Sequence, residues 1–465
     1  MSKEGELPIS RFAARKHARE PQPLISVSTK QQRIATIAQN HPNEAITNLS
    51  RHMDVLWLKE AYQQLNAKSA VGMDGESVRD FAENLDERLE ELLNQAKSGS
   101  YQAPPVLRKQ IPKNEKETRP IGIPTTANKV LERAVVMLLE PIYEGDFIDG
   151  SYGFRPKRNT QQALEVIRQE LMEMGGGWVL DVDVQKYFDT IHHTKLREIV
   201  RKRINDKVVN RLINKWLKAG VWENGQVSYS DEGTPQGGVI SPVLSNIYLN
   251  EVLDKWYTNE VQPELKGRAK LVRFADDFVI LFEHQEDALR VKEILPARFE
   301  EYGLRIHPEK TRLVDFRRPE RTTEGKPGTF DFLGFTHYWG KTRKGGIAVK
   351  KKTAAKKLRK CISAIDEWCS ANRHMSLGEQ HKKLSRKLQG HYTYYGVTGN
   401  IQRLGEFAEQ VRLSWQKWLN RRSNKWAMTW QRFNTLINGP YALPPPRIVR
   451  KTDRQMQLAF SKTAY

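Results

Sequence analysis

Three carboxylates stand where the apolar pattern of the chain should exclude them. Asp276 and Asp277 interrupt the run from Leu271 to Phe282, and Asp183 lies near the end of the buried-type strand pattern Trp178–Val184, some ninety residues earlier. Burying one uncompensated carboxylate is expensive and a second beside it adds repulsion, so such a set needs metal ions, basic partners or exposure at a turn. One reading is a plain hairpin turn between strands Leu271–Phe274 and Phe278–Phe282, with two solvated Asp residues at its tip. The other is chemical. Hard oxygen ligands of this kind hold Mg²⁺, and two such ions about 4 Å apart activate a 3′-hydroxyl and stabilise a leaving pyrophosphate in an in-line displacement. Nucleotidyl transfer follows from that second reading.

The elements that must position these groups alternate between strand, helix and hairpin, which predicts an α+β fold. Residues 1–50 read as a polar arm broken by Pro8, Pro21, Pro23 and Pro42. A helical pattern follows at Val55–Leu65, then the turn Gly72-Met73-Asp74-Gly75. Val78 to Ala96 reads as one amphipathic helix with Phe81, Leu85, Leu89 and Leu92 on a single face. Val106–Lys113 and Thr118–Ile123 alternate like a strand pair joined by the charged loop Asn114–Glu117. Lys129–Ile142 is helical. Ser241 and Pro242 serve as N-cap and first-turn residue of a helix running through Trp256, with Ile247, Val252 and Trp256 facing inward. From residue 351 the pattern is mainly helical, and it ends before Pro444-Pro445-Pro446. There is no tandem repeat.

At 465 residues the chain exceeds one typical core, so two or three substructures are expected. Its formal net charge of +21 is concentrated at one end: residues 341–465 carry 27 Lys+Arg against 6 Asp+Glu, while residues 1–340 carry 49 of each. The same quarter holds Trp368, Trp415, Trp418, Trp426 and Trp430. Basic groups interleaved with aromatic ones suit a phosphate backbone and stacked bases. Cys361 and Cys369 are too few for a disulfide framework or a Cys-rich zinc site. Neither a leader nor a membrane span is visible, so a soluble cytoplasmic protein is expected.

The ordered motifs resemble the reverse transcriptases encoded by group II introns. The resemblance runs through Gly72–Gly75, Lys113 with Arg119-Pro120-Ile121-Gly122-Ile123-Pro124, Gly153-Phe154-Arg155-Pro156, and Asp183 to Phe188. It continues with Thr234-Pro235-Gln236-Gly237-Gly238, Phe274 to Asp277, His307 to Thr311, and Phe332-Leu333-Gly334-Phe335. It implies a right-hand polymerase, with fingers and palm built from an antiparallel sheet plus helices, followed by an α-helical thumb. The implied divisions are an N-terminal extension and fingers at 51–175, a palm at 176–340, a basic thumb called domain X at 341–446, and a basic tail at 447–465. Asp183, Asp276 and Asp277 match metal-binding carboxylates, with the carbonyl of Val184 as a further ligand for two Mg²⁺ ions, Mn²⁺ being a substitute. Phe188 matches a steric gate against the ribose 2′-OH. Lys113 and Arg119 match fingers residues that hold the incoming triphosphate, Gln236 lines the nucleotide pocket, and Lys310 lies near primer and nucleotide.

Leu384 to Tyr395 resembles the Leu-x-x-x-Leu-x-Gly-aromatic stretch of the maturase thumb, which grips template–primer and intron RNA. Arg386, Lys387, Tyr394, Arg421 and Arg422 are its nucleic-acid-binding candidates. The resemblance therefore implies an RNA-directed DNA polymerase that binds intron RNA, or another RNA template, together with a DNA primer or target and dNTPs. It also supports splicing and retrohoming. Alternatives are a splicing factor with incidental catalysis and a domesticated, defence- or CRISPR-associated reverse transcriptase. Two departures stand out. Phe274 replaces the more usual Tyr, and only 19 residues follow Pro446, so no endonuclease is expected.

Overall fold

The computed structural model describes residues 26–112, 118–233, 237–321, 328–342, 344–422 and 427–449. Its first third is a helical layer around one long buried helix. Helices α1 (Val27–Asn40), α2 (Val55–Gln63) and α3 (Leu85–Ser98) come first; Ser26 caps α1 at Thr29 N and Asp54 caps α2 at Trp57 N. The segment expected as a polar arm thus contains a docked helix, because only a narrow stripe of α1, Ile34 and Ala38, is buried. The stretch from Val78 to Ala96 is not one helix either. A 3₁₀ turn at Asp80–Ala82 buries Phe81, Asn84 adopts a left-handed φ of 54°, and α3 restarts after it.

Strands β1 (Val106–Pro112) and β2 (Thr118–Ile123) pair antiparallel from Leu107↔Ile123 to Pro112↔Thr118, as expected. The loop joining them lies outside the described residues. Helix α4 (Thr126–Asp146) follows, with two thirds of its residues buried, and the Trp57 indole donates to Ala134 O of that helix at 2.9 Å. Next come α5 (Thr160–Glu173), β3 (Trp178–Val182), the single turn α6 (Tyr187–Thr190), α7 (His193–Arg203) and α8 (Lys207–Leu217). The hairpin of β4 (Val221–Glu223) and β5 (Gln226–Ser228) lies alongside β1, with β4 parallel to it.

Helix α9 (Ser241–Leu249) begins one residue earlier than expected, with Ile240 at the N-cap position and Ser241 already inside the helix. It does not continue to Trp256 as an α-helix. From Asn250–Lys255 and again at Tyr257–Val261 the backbone takes π-helical turns. Ile247, Val252 and Trp256 are nonetheless buried, as the pattern required.

The central sheet has the order β6-β7-β3-β8, built from β6 (Ala269–Phe274), β7 (Asp277–Phe282) and β8 (Arg312–Asp315), with α10 (Gln285–Glu301) between β7 and β8. All its pairings are antiparallel. Successive residues on a strand point to opposite faces, and here both faces are covered. Phe278, Ile280 and Phe282 join a core with α4, α9 and α10. Val279 and Leu281 join a second core with α5 and the C-terminal region. Burial on both sides explains why Phe278–Phe282 reads as a continuous apolar run instead of an alternating one.

That second core extends into the C-terminal part. Strands β9 (Phe330–Phe332), β10 (Phe335–Lys341) and β11 (Ile347–Thr353) form a separate antiparallel sheet, so β10 runs across residues 340–341. Four helices follow: α11 (Ala355–Ala371), α12 (Leu377–Tyr395), α13 (Ile401–Asn420) and α14 (Trp430–Ile437). Trp415 is fully buried, its indole bonded to Gln380 Oε1 at 2.9 Å, so it is a core residue and not a stacking platform. Trp418 and Trp430 lie nearer the surface beneath Arg421 and Arg412, 5.2 and 5.3 Å from the ring centroids. Trp426 lies outside the described residues. Among the described residues no helix is long and apolar enough to cross a membrane.

Ile280 has no exposed surface and sits at the centre of the sheet's first face. Ile280→Ala is expected to lower unfolding free energy by about 3 kcal/mol, read as a shift of the urea midpoint. A loss below about 1 kcal/mol would contradict the double-faced sheet.

Candidate active site

The hairpin reading and the chemical reading of Asp276 and Asp277 meet in one object. Phe274 pairs with Asp277, so β6 and β7 are joined by the two-residue turn Ala275-Asp276. Ala275 has φ +57°, a left-handed conformation that disfavours any side chain by about 1–2 kcal/mol. Three contacts hold it there. Arg273 Nη1 donates to Ala275 O at 3.0 Å. Arg273 N donates to Gly150 O at 2.8 Å, and Tyr152 N to Arg273 O at 2.9 Å. Gly153 lies so close beneath the turn that a Cβ there would overlap the Ala275 nitrogen.

Arg273 itself has no exposed surface. Its Nε donates to Asp254 Oδ1 at 2.8 Å, Nη2 bonds Asp254 Oδ2, and Nη1 also reaches Asn246 Oδ1 at 3.0 Å. Asp254, equally buried, lies in the first π-helical segment. Asn246 in turn donates to Gly153 O at 2.6 Å, closing the network on the loop under the turn.

Asp183 lies just past the end of β3. Its carbonyl accepts from His307 N at 2.8 Å, Gln185 N donates to Arg305 O at 2.8 Å, and Val184 bridges Ile306. The segment ahead of β8 is thereby bound to the strand end, which brings Lys310 Nζ to 3.7 Å from Asp183 Oδ1. Asp183 and Asp277 face a cleft of ≈ 500 Å³ that is also lined by Asp181, Lys310, Arg312 and Asp331.

The three carboxylates lie close enough for their charges to act on one another. Loss of hydration raises Asp276 above the ordinary carboxylate range; Asp183 adds to this, while Arg119 and Arg273 oppose it. Desolvation, followed by Asp276, Asp183 and Asp181, pushes Asp277 up to about 6. Among the described residues no group of three or more His, Cys, Asp or Glu side chains is placed to hold a metal ion. The donor chemistry nonetheless suits a hard divalent cation. Asp183 and Asp277 line the cleft with Asp276 next to them, and carboxylates that repel one another are what such an ion would neutralise, with its remaining ligands from water or substrate oxygens.

Around this centre Phe188 is half-buried, its ring 5.4 Å from and edge-on to Tyr187, whose hydroxyl donates to Ser245 O of α9 at 2.7 Å. Arg119, on β2, is exposed and close enough for its charge to act on Asp276. Lys113 and Gln236 lie outside the described residues. The thumb candidates do not line the cleft. Arg386 and Lys387 are exposed on α12, Lys387 over the Trp368 ring at 5.6 Å, while Arg421 and Arg422 sit at the end of α13. Tyr394 has a structural bond: its hydroxyl donates to Leu333 O at 3.0 Å, and its ring stacks on Phe335.

Asp254 and Asn246 escape sequence reading. Asp181, bonded to Arg312 at 3.0 Å, interrupts the apolar strand pattern Trp178–Val184 as Asp183 does, but the pattern gives it no role. Arg273 carries the same signal, a full charge within an apolar strand.

A family model described as reverse transcriptase (RNA-dependent DNA polymerase) matches residues 111–337. Protein YkfC of Escherichia coli (strain K12) is 33% identical over 377 residues, 73% of this chain and 95% of that protein. The group II intron-encoded protein LtrA of Lactococcus lactis subsp. cremoris is 28% identical over 464 residues, 81% of this chain and 75% of that protein. The putative COX1/OXI3 intron 1 protein of Saccharomyces cerevisiae is 28% identical over 233 residues, 50% of this chain and 27% of that protein.

Arg273→Lys keeps the charge but cannot reproduce a planar fork bonded at three nitrogens. Leaving Asp254 incompletely paired is expected to lower stability by about 3 kcal/mol, read as a fall in the thermal midpoint. Amide exchange at the Ala275–Phe278 turn should accelerate at the same time. Unchanged exchange there would sever the proposed link between the buried pair and the turn.

Proposed function

The chain belongs to the reverse transcriptase (RNA-dependent DNA polymerase) family, in its group II intron-encoded branch, and from that premise we infer how its residues divide the work of an RNA-directed DNA polymerase and intron maturase. The observation that carries the inference is the convergence of Asp183, Asp276 and Asp277 on one field beside an open cleft. In this reading Asp183, the Val184 carbonyl, Asp276 and Asp277 hold two divalent ions, Mg²⁺ or its substitute Mn²⁺. When bound, such ions supply Lewis-acid activation of a 3′-hydroxyl and charge neutralisation on the pyrophosphate.

The remaining steps belong to the chain. Arg119, together with Lys113, holds the triphosphate against the fingers, since a guanidinium fork matches phosphate oxygens. The Phe188 ring occupies the volume a ribose 2′-OH would need, braced by Tyr187. Gln236 lines the nucleotide pocket. Lys310, an ammonium beside Asp183, stands ready for the charge brought in by primer and nucleotide. The domains follow as fingers at 51–175, palm at 176–340 and thumb at 341–446, with the β10–β11 hairpin straddling the last boundary. The exposed Arg386, Lys387, Arg421 and Arg422 give the thumb its grip on intron RNA or another RNA template and on the DNA primer. Tyr394 connects that grip to the palm. A cytoplasmic setting accords with the free thiols of Cys361 and Cys369.

The test is primer extension on an RNA template with Mg²⁺, comparing dNTPs with NTPs. Asp276→Ala is expected to lower the rate of DNA synthesis by about a thousandfold while splicing support persists. Retained synthesis would refute the carboxylate assignment. Strong preference for dNTPs is expected in the unaltered protein and should relax in Phe188→Ala. Equal use of both by the unaltered protein would refute the gate.

A further inference from the structure

Glu132 is a carboxylate in the middle of α4, only 3% exposed. A buried charge of this kind persists only if its oxygens are fully bonded. Its Oε2 accepts from Val239 N at 2.6 Å and from Ile240 N at 3.2 Å, and its Oε1 accepts from Asn128 Nδ2 at 3.0 Å. Asn128 Oδ1 in turn accepts from the Tyr101 hydroxyl at 2.7 Å.

Those two amides lead into α9: Val239 lies just before its N-cap residue, Ile240, which offers no side-chain acceptor. In a capping box a Glu or Gln inside the helix itself accepts from the N-cap amide. Here a helix more than a hundred residues earlier supplies that carboxylate. The contacts on either side say what the cap controls. Gly237, at φ +116°, packs directly on Ile121 and Gly122 of β2, leaving no room for a Cβ. Along α9, Ser245 O holds the Tyr187 hydroxyl and Asn246 holds both Arg273 and Gly153.

We propose that Glu132 is a positioning residue that locks the palm helix α9 to the fingers strand β2, and thereby sets the affinity for the incoming nucleotide. The proposal rests on the reading of Arg119 and Phe188 as nucleotide-contacting groups. The lock joins the strand that carries Arg119 to the helix that braces the Phe188 turn. Glu132 bonds Asn128, Val239 and Ile240, none of which is assigned to the nucleotide or the metal ions.

The carboxylate form is the working one, because protonation replaces an acceptor with an O–H donor facing two N–H donors. Burial raises this acid, against the opposing pull of the two amides and Lys129, up to about 7. The lock therefore weakens as pH falls through neutrality. Folding stability runs the other way: a group whose folded value is raised contributes most below its unfolded value, and loses that contribution as pH rises through about 7. Lys129 is the charged group facing Glu132, and Tyr101 stands behind Asn128. The neighbours from β1, α8 and α9 (Val106, Trp216, Leu217, Ser241 and Leu244) do not titrate.

The experiment measures steady-state incorporation of one dNTP on an RNA template from pH 6 to pH 8.5, with primer–template affinity measured separately. Glu132→Leu should raise KM for dNTP about tenfold with primer–template affinity unchanged. Glu132→Gln, which keeps an acceptor, should recover most of the affinity and fold at least as stably above pH 7. The rise in KM toward low pH seen in the unaltered protein should flatten in Glu132→Gln. If Glu132→Leu is folded with an unchanged KM, or if Glu132→Gln keeps the full pH dependence, the proposal is overturned. Arg119→Ala separates the two readings. If it leaves KM unmoved, the fingers assignment fails; if it raises KM while both Glu132 variants behave as the unaltered protein, the lock alone fails.

Discussion

The buried pair of Arg273 and Asp254 is the constraint on which the hairpin tip that carries Asp276 and Asp277 depends. Two opposite charges without solvent contact are expensive to desolvate, and an apolar pair of equal volume is often no less stable. Their retention is better explained by geometry. One guanidinium spends its donors on Asp254, on Asn246 and on the carbonyl of Ala275, and so ties a palm helix, a loop and a strained turn to a single plane. The π-helical segment is part of the same device, since Asp254 belongs to it and faces inward there. Irregular helical turns of this kind recur at functional sites. Here the irregularity supports a side chain one layer behind the carboxylates of the tip.

The carboxylates are positioned by strand ends, not by strand interiors. Asp183 follows β3, Asp276 lies in the turn before β7 and Asp277 is the first residue of that strand, so the sheet supplies rigidity while the acids stay at its rim. A buried strand interior could not tolerate three such charges. At the rim Arg119 and Arg273 oppose the rise of Asp276 and Lys357 that of Asp277, yet loss of hydration, with repulsion from Asp276, Asp183 and Asp181 behind it, leaves Asp277 with a raised affinity for a proton.

Much of this was readable from residue type and spacing. The β1–β2 hairpin, the apolar run of β7 and the turn at Asp276 and Asp277 are local patterns, set by alternation and by charges in forbidden places. What sequence reading missed was decided by tertiary contact. The helix at Val27–Asn40 looks polar because it buries a stripe too narrow to register as amphipathic. Asn84 breaks the expected helix through a left-handed φ that no propensity for Asn requires. Trp415 carried the same composition signal as Trp430, yet one is core and the other lies at the surface. Asp254, Asn246 and Glu132 are unremarkable helix residues until the partner elements arrive, so no spacing rule singles them out. The motifs of the family, in contrast, were legible because their order along the chain is itself information.

The second face of the central sheet has a consequence for inheritance. Val279 and Leu281 share one apolar cluster with Phe335, Leu358, Leu388 and Trp415, so the C-terminal helices close one core of the central sheet. The boundary drawn by function is therefore not a boundary for folding cooperativity. A lineage could not shed these C-terminal helices and keep a free-standing sheet without first inventing a new cover for that face. Nor could it acquire such helices by fusion without matching the sheet residue for residue. In such a chain the two activities persist or decay together.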